Sequence, residues 1–294
     1  MPSSIQIQSY AKINWTLDVL FKREDGYHEL RTIYQTVSLH DELRLSETSG
    51  EIEIVCDDSR VPCDETNLAF KAALLLREAT GTSKGARIEI EKRIPVAAVL
   101  GGGSSNAAVT LLALIRLWQI EIDERELIQI AAKLGSDVPF FLIGGTALGV
   151  GRGEEVSPIE QVHCEHLLLV NPGFAVSTRG AYEKLSRLTR PQAASIIPFT
   201  LLAAKGIRGL PLVARNDLEE PVLAAYPEIA EVKRRLMSLG ARHALMSGSG
   251  ATVFGVFDNS EMAGQAESEL RAFGYWAERV HTVDRQEYHA TIFQ

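Results

Sequence analysis

Cysteine is scarce in this chain of 294 residues: there are three, Cys56, Cys63 and Cys164. Their odd number and the lack of any C-x-x-C pair indicate neither a disulfide framework nor a zinc site. Reduced thiols in a cytoplasmic protein are the expectation. Long apolar runs are missing as well. The longest, Val138 to Val150, is too short to span a bilayer and is interrupted by Gly144, Gly145 and Gly149. The opening Met1-Pro2-Ser3-Ser4-Ile5-Gln6 shows no basic segment leading into an apolar core, so no signal peptide is expected. Basic charge is not in excess: 30 Lys plus Arg stand against 38 Asp plus Glu, a net charge of −8. That balance argues against nucleic acid or an anionic membrane as the main partner. It leaves room for a local basic site facing a phosphorylated small molecule. Internal repeats and low-complexity segments are absent too.

What is present is globular. Hydrophobic residues make up 46% and charged residues 23%, enough to bury a sizeable core. At about 100–200 residues per domain, the length predicts one large domain or two ordinary ones. From Ala11 to Val19, apolar residues at odd positions alternate with polar ones at even positions, the period of a half-buried strand. Lys12 and Asn14 therefore share a face. Asp25-Gly26 reads as a turn. Further strands are predicted at 31–39, 42–46, 51–56 and 86–92. Asp64-Glu65-Thr66-Asn67 supplies caps for a helix through Leu76 that stops at Gly81. Asp123 with Glu126 looks like a capping box for another helix ending near Gly135. Strands at 145–150 and 167–170 flank a polar stretch, 154–165, which places a domain boundary near residue 160. Beyond it come a helix after Ser177-Thr178, another over 228–239, and a strand–helix–strand unit over 251–281. Strands and helices mix without strict βαβ alternation, so the fold class is α+β rather than a doubly wound parallel sheet.

Five local patterns could carry chemistry. The strongest runs Pro95-Val96-Ala97-Ala98-Val99-Leu100-Gly101-Gly102-Gly103-Ser104-Ser105-Asn106. Three glycines allow close backbone approach, and the helix expected to open at Ser104–Asn106 offers unpaired N–H groups and a positive dipole end. A flexible turn is the plainer account of a glycine cluster, but serines and asparagine at a helix start favour a phosphate, most naturally of ATP. No G-K-[ST] follows, so this is no Walker A loop, nor does it fit G-x-G-x-x-G. Asp137, in Gly135-Ser136-Asp137-Val138-Pro139, reads alone as a helix N-cap. Lys12 with Asn14 reads alone as a solvated strand face. Tyr27-His28 follows the turn at Gly26. Ser247-Gly248-Ser249-Gly250-Ala251 fits a hairpin turn, with a phosphate contact as the sharper alternative.

Taken in order, these patterns resemble the GHMP small-molecule kinases, over Ala11 to about Phe257. The stretches Ala11-Lys12-Ile13-Asn14, Asp25-Gly26-Tyr27-His28-Glu29-Leu30 and Leu100–Ala108 are similar to one branch of that superfamily, acting on a cytidine diphosphate compound. The resemblance implies an N-terminal α+β domain of ribosomal-S5 type (1–160) and a ferredoxin-like C-terminal domain (161–294), with the site between them. It implies ATP-dependent phosphorylation of the 2-hydroxyl of 4-diphosphocytidyl-2-C-methyl-D-erythritol in the non-mevalonate isoprenoid pathway. Lys12 and Asp137 would be the catalytic pair, with Asn14, Tyr27, His28, Thr178 and Tyr182 binding substrate. Pro95, Val96, Ala97, Ala98, Val99, Leu100, Gly101, Gly102, Gly103, Ser104 and Ser105 would bind ATP. Magnesium is expected with the nucleotide, held mostly by its phosphates, and the enzyme would be a monomer or homodimer. The resembled kinases usually carry glycine where Val99 stands. Because Ala97 and Ala98 also bear a Cβ, the loop is expected to stay extended before Leu100, with Val99 at negative φ.

Overall fold

The computed structural model describes residues 4–185, 209 and 214–292; Met1–Ser3, part of the opening segment read above, lie outside them. Its first strand, β1 (Ser4–Lys22), pairs antiparallel with β2 (His28–Thr48) along almost its whole length. The two strands foreseen at 31–39 and 42–46 are thus one continuous strand. Register shifts, one between Tyr10 and Ala11 opposite Val37 to His40, let the long ribbon bend rather than break. Because β2 is long, its far end pairs with β4 (Gly85–Glu91) and its near end with β5 (Thr146–Gly151). With β3 (Ile52–Cys56), β6 (Glu155–Pro158) and β8 (Arg215–Asn216), these make a seven-stranded, mostly antiparallel sheet.

The expectation of a half-buried β1 is corrected. Ala11, Ile13, Trp15 and Leu17 are buried, but so are Lys12, Asn14, Thr16 and Asp18. Both faces are covered, each by a different part of the chain. The apolar face packs on a second sheet, where Trp15 meets Phe254 edge-on with ring centres 5.3 Å apart. The polar face looks into the site described below.

Helices cover the other side of the first sheet. Helix α1 (Leu68–Thr80) starts where the Asn67 side chain accepts from Ala69 N and stops at Gly81, whose φ is +68°. α2 (Gly102–Trp118) and α3 (Glu124–Leu134, capped by Asp123) complete that core. The chain returns to this core at its far end: in the helix Arg285–Thr291, Tyr288 Oη donates to Phe141 O at 2.5 Å.

The second sheet is antiparallel and comprises β7 (Leu167–Asn171), β9 (His243–Met246), β10 (Val253–Val256) and β11 (Trp276–Val280), ordered β11-β7-β10-β9. Helices follow its first and third strands, the split βαβ arrangement of a ferredoxin-like layer. The α+β expectation holds.

Within the first sheet, β2 and β8 are tied to β1 at Asp18, which is fully buried. Its Oδ2 accepts from Arg31 at 3.0 Å and its Oδ1 from Arg215, on β8, at 2.7 Å. Both arginines retain contact with water, so losing their shared anion leaves them partly solvated. Asp18→Ala should therefore destabilise the fold by about 3 kcal/mol, the low end for breaking a buried pair. Urea denaturation checks this; a loss below about 1 kcal/mol, the size of a surface pair, would show that Asp18 does not tie these strands.

Candidate active site

The glycine-rich stretch leaves β4, passes through Pro95, and turns twice before entering α2. Ala97 and Val99 both take φ of +60°. The expectations of a negative φ at Val99 and an extended loop are therefore overturned. A β-branched residue avoids this region because its Cβ crowds the neighbouring carbonyl, and the strain is of the order of 1–3 kcal/mol. The residues on either side explain why it persists. Ala98 and Leu100 are buried in the core between the layers. Ala98 O accepts from Thr252 Oγ1 at 2.7 Å, and Leu100 O accepts from Lys12 N at 2.9 Å. With both neighbours pinned inward, the residues between them must reverse.

Helix α2 begins at Gly102, two residues ahead of the expected start, with Gly101 as N-cap at φ +76° and no side-chain cap. Glycine is required there: a Cβ would come within 2.7 Å of the Phe141 ring and 3.0 Å of Lys12 Cγ. The first intrahelical bond runs from Ser105 N to Gly101 O. The N–H groups of Gly102, Gly103 and Ser104 precede it, at the positive end of the helix, as an anion site needs. A cavity of about 470 Å³ opens over them, lined by the loop from Pro95 to Ser104 and by Asn67, Lys92 and Asn106. Ser105 does not line it; its buried hydroxyl accepts from Ser9 Oγ.

A second cavity, of about 670 Å³, lies over the polar face of β1. Lys12 is buried there, its Nζ 2.8 Å from Asn14 Oδ1 and 3.3 Å from Asp137 Oδ2. Asn14 Nδ2 in turn donates to Thr32 Oγ1 at 2.8 Å. Asp137 is not the N-cap it resembles locally: Pro139 takes that position before α4 (Phe140–Ile143). Its carboxylate is instead directed to Lys12 and to Tyr34, whose Oη donates to Oδ1 at 3.1 Å. Burial, reinforced by that carboxylate, holds the Tyr34 hydroxyl well above its ordinary pKa, so it remains a donor. Asp137, Val99 and Thr178 line both cavities, so the two spaces meet at the carboxylate.

The remaining predicted residues ring the second cavity. His28 stacks on Tyr182 of α5 (Thr178–Leu185), with ring centres 4.9 Å apart at 19°. Tyr27 stands outward, 56% exposed, with the Arg152 guanidinium 4.9 Å above its ring. Thr178 Oγ1 lies 3.0 Å from Ser249 Oγ. The Ser247–Ser249 turn joins β9 to β10, as a hairpin should, and also reaches the site: Ser247 Oγ accepts from Asn14 N at 3.3 Å. Tyr34, Thr32, Lys92 and Arg152 were not foreseen. For Tyr34 a signal existed, since antiparallel pairing of the first two strands sets Asn14 opposite Tyr34.

Comparisons with known proteins identify the family. The family model for the GHMP kinases N terminal domain matches residues 67–145, and that for the C terminal domain matches 203–275. The chain is thus a small-molecule kinase of the GHMP class, for which ATP is the phosphoryl donor. It is 44% identical to 4-diphosphocytidyl-2-C-methyl-D-erythritol kinase of Syntrophus aciditrophicus, covering 93% of this chain and 97% of that one. The same kinase of Geobacter sulfurreducens is 40% identical, with 95% and 99% covered. A crystal structure of 4-(cytidine 5'-diphospho)-2C-methyl-D-erythritol kinase superposes with a TM-score of 0.77 at 38% identity, over 95% of this chain and all of that one. Homoserine kinase from Cytophaga hutchinsonii, at 20% identity and a TM-score of 0.75, shares the fold. The chain belongs to the 4-diphosphocytidyl-2-C-methyl-D-erythritol kinase family.

Burial, with Lys22 nearby, lowers the pKa of His28 from its usual 6.5. The fold therefore favours the neutral ring. This stabilisation is fully present above the unfolded pKa, about 6.5, and is lost as pH falls through the folded value. An NMR titration of the His28 ring should give a midpoint below that of an unfolded control, and Lys22→Gln should raise it. A midpoint at or above the control would contradict this environment.

Proposed function

We propose that this chain transfers the γ-phosphoryl group of ATP to the 2-hydroxyl of 4-diphosphocytidyl-2-C-methyl-D-erythritol, giving the 2-phosphate and ADP. The observation that carries it is the meeting of the two cavities at Asp137, with Lys12 Nζ 3.3 Å away. The glycine loop would take the triphosphate on the open N–H groups of α2. The acceptor would lie on the polar face of β1, its hydroxyl directed at Asp137.

In the step itself, the hydroxyl oxygen attacks the γ-phosphorus as its proton passes to the Asp137 carboxylate. The bond to the β,γ-bridging oxygen breaks and its electron pair leaves with ADP. Lys12 holds the reacting oxygen and offsets developing negative charge, while Asn14 fixes the lysine amine. Tyr34 keeps one carboxylate oxygen occupied, which leaves the other for the hydroxyl. Catalysis of this kind rests on positioning and electrostatics. The side chains present form no cage for magnesium: among the described residues no group of three His, Cys, Asp or Glu is placed to hold a metal. The ion would be held by phosphates and water, and no step here runs through it.

Around the base, Tyr27, His28 and Tyr182 offer stacking faces, with a neutral imidazole to hydrogen-bond the cytosine. The three cysteines are unpaired, and among the described residues no helix is long and apolar enough to cross a membrane. Both features suit a cytoplasmic enzyme, monomeric or homodimeric, acting on a small molecule.

The direct test incubates the protein with ATP, magnesium and the cytidine substrate, following ADP and the product by phosphorus NMR. Asp137→Asn should still bind ATP yet lose about 10²–10⁴-fold in kcat, the range for a general base. Near-normal turnover would refute its role. Lys12→Ala should also slow the reaction, and the two losses should not add, because both groups serve one hydroxyl.

Base recognition gives a separate prediction. A uridine analogue reverses the exocyclic donor and mispairs polar groups in the pocket, at about 1–3 kcal/mol for each one buried. It should therefore be a markedly poorer substrate in kcat/KM. Equal use of the two would mean that the base is not read.

A further inference from the structure

Val99 holds a conformation that its side chain disfavours, where the glycine loop borders both cavities. Its neighbours Ala98 and Leu100 are anchored in the core, so its own side chain faces outward, toward the Ser247–Ser249 turn of the other layer. The fit there is close. A Cβ placed on Gly248 would come within 2.7 Å of Val99 Cγ1, 3.4 Å of Asn14 Oδ1 and 3.8 Å of Lys12 Nζ. The isopropyl group therefore lies against a bare backbone beside the Lys12 amine and lines both cavities.

We propose that Val99 is a specificity-determining residue that selects the acceptor hydroxyl over water as the nucleophile. Resting on the kinase reading above, it acts as an apolar partition where donor and acceptor spaces join. Water reaching the γ-phosphorus would use the same machinery. Its oxygen bonds to phosphorus, its proton passes to Asp137, and the bridging bond breaks toward ADP, leaving inorganic phosphate. Lys12 and Asp137 cannot distinguish the two nucleophiles, since both are hydroxyl groups. An apolar wall can, because it offers water no hydrogen bond, whereas an acceptor anchored elsewhere in its cavity needs none from this wall. Excluding water is a recognised part of closed kinase sites. Glycine would relax the backbone but remove the wall, and alanine would keep Cβ while losing both methyl groups.

Val99→Gly and Val99→Ala test this in the intact enzyme. Two quantities are read: inorganic phosphate released from ATP without acceptor, and the ratio of phosphorylated product to inorganic phosphate with acceptor saturating. Val99→Gly should raise acceptor-free hydrolysis about tenfold, equivalent to 1.4 kcal/mol, and lower the ratio; Val99→Ala should fall between. Hydrolysis unchanged in both variants overturns the proposal, including where the ratio falls only because transfer slows. Should the glycine variant fail to fold or to bind ATP, the alanine variant decides. If the wild type hydrolyses ATP but does not phosphorylate the cytidine compound, the substrate assignment fails while the acceptor-free arm still judges Val99.

Discussion

A lysine amine removed from water must be given acceptors and an anion, and this site is arranged around that requirement at Lys12. Its side chain is 3% exposed, whereas that of Asp137 is 32% exposed. The pair is therefore lopsided, with a buried cation and a carboxylate that still faces the cavities. An unpaired polar group there would go without the hydrogen bonds it gives up on leaving water. Asn14 and Asp137 supply what water would have supplied, and Tyr34 contributes the face of its ring, 5.6 Å from Nζ. Each of these partners is held in turn by Thr32 or by the packing of Tyr34 against Phe140. The outcome is a fixed positive point beside a carboxylate with spare acceptor capacity, which phosphoryl transfer needs and an ordinary exposed lysine could not provide.

That arrangement depends on the second layer. Thr252 and the Ser247–Ser249 turn belong to the second sheet, yet they fix the phosphate loop and contact β1. Strain at Ala97 and Val99 is tolerable only while these long-range bonds hold, since nothing local in the loop favours left-handed φ in residues bearing a Cβ. The loop conformation is thus a property of the docked layers. Binding in the groove and cohesion of the two layers draw on the same contacts.

The parts of the fold legible in sequence were those set by local chemistry. Asn67, Gly81 and Asp123 mark helix ends because capping is settled within four residues. The strand–helix–strand unit near the end was readable because its periods switch cleanly. What local reasoning missed was decided from a distance. The even positions of β1 look like a solvated face until Asp137, the glycine loop, Arg31 and Arg215 close over them, and alternation cannot reveal those distant partners. Side-chain sterics alone favour negative φ at Val99, and bonds from Thr252 to Ala98 and from Lys12 to Leu100 reverse it. The candidate site was more legible than the loop geometry. Lys12, Asp137 and the glycine run were recognisable by their order, whereas Tyr34 became visible only through its register opposite Asn14.

The two halves of the site also recognise by different means. The side proposed for the nucleotide presents backbone: the N–H groups of Gly102, Gly103 and Ser104, and a loop path whose Ala98 and Leu100 side chains fill the core. Such a surface reads phosphate, which is common to every use of ATP, and it constrains sequence through the space left for glycine. The side proposed for the acceptor presents side chains: His28 on Tyr182, Tyr27 under Arg152, and Asn14 beside Lys12. Those groups can change one at a time without disturbing the backbone that holds the phosphates. A fold divided in this way can keep its donor chemistry while its acceptor changes, because the two requirements converge only at Asp137, Thr178 and Val99. Of these three, the carboxylate would take the proton in the proposed step and the hydroxyl of Thr178 is tied to Ser249, which leaves Val99 as the position where the join between the halves can be tuned by side-chain bulk alone.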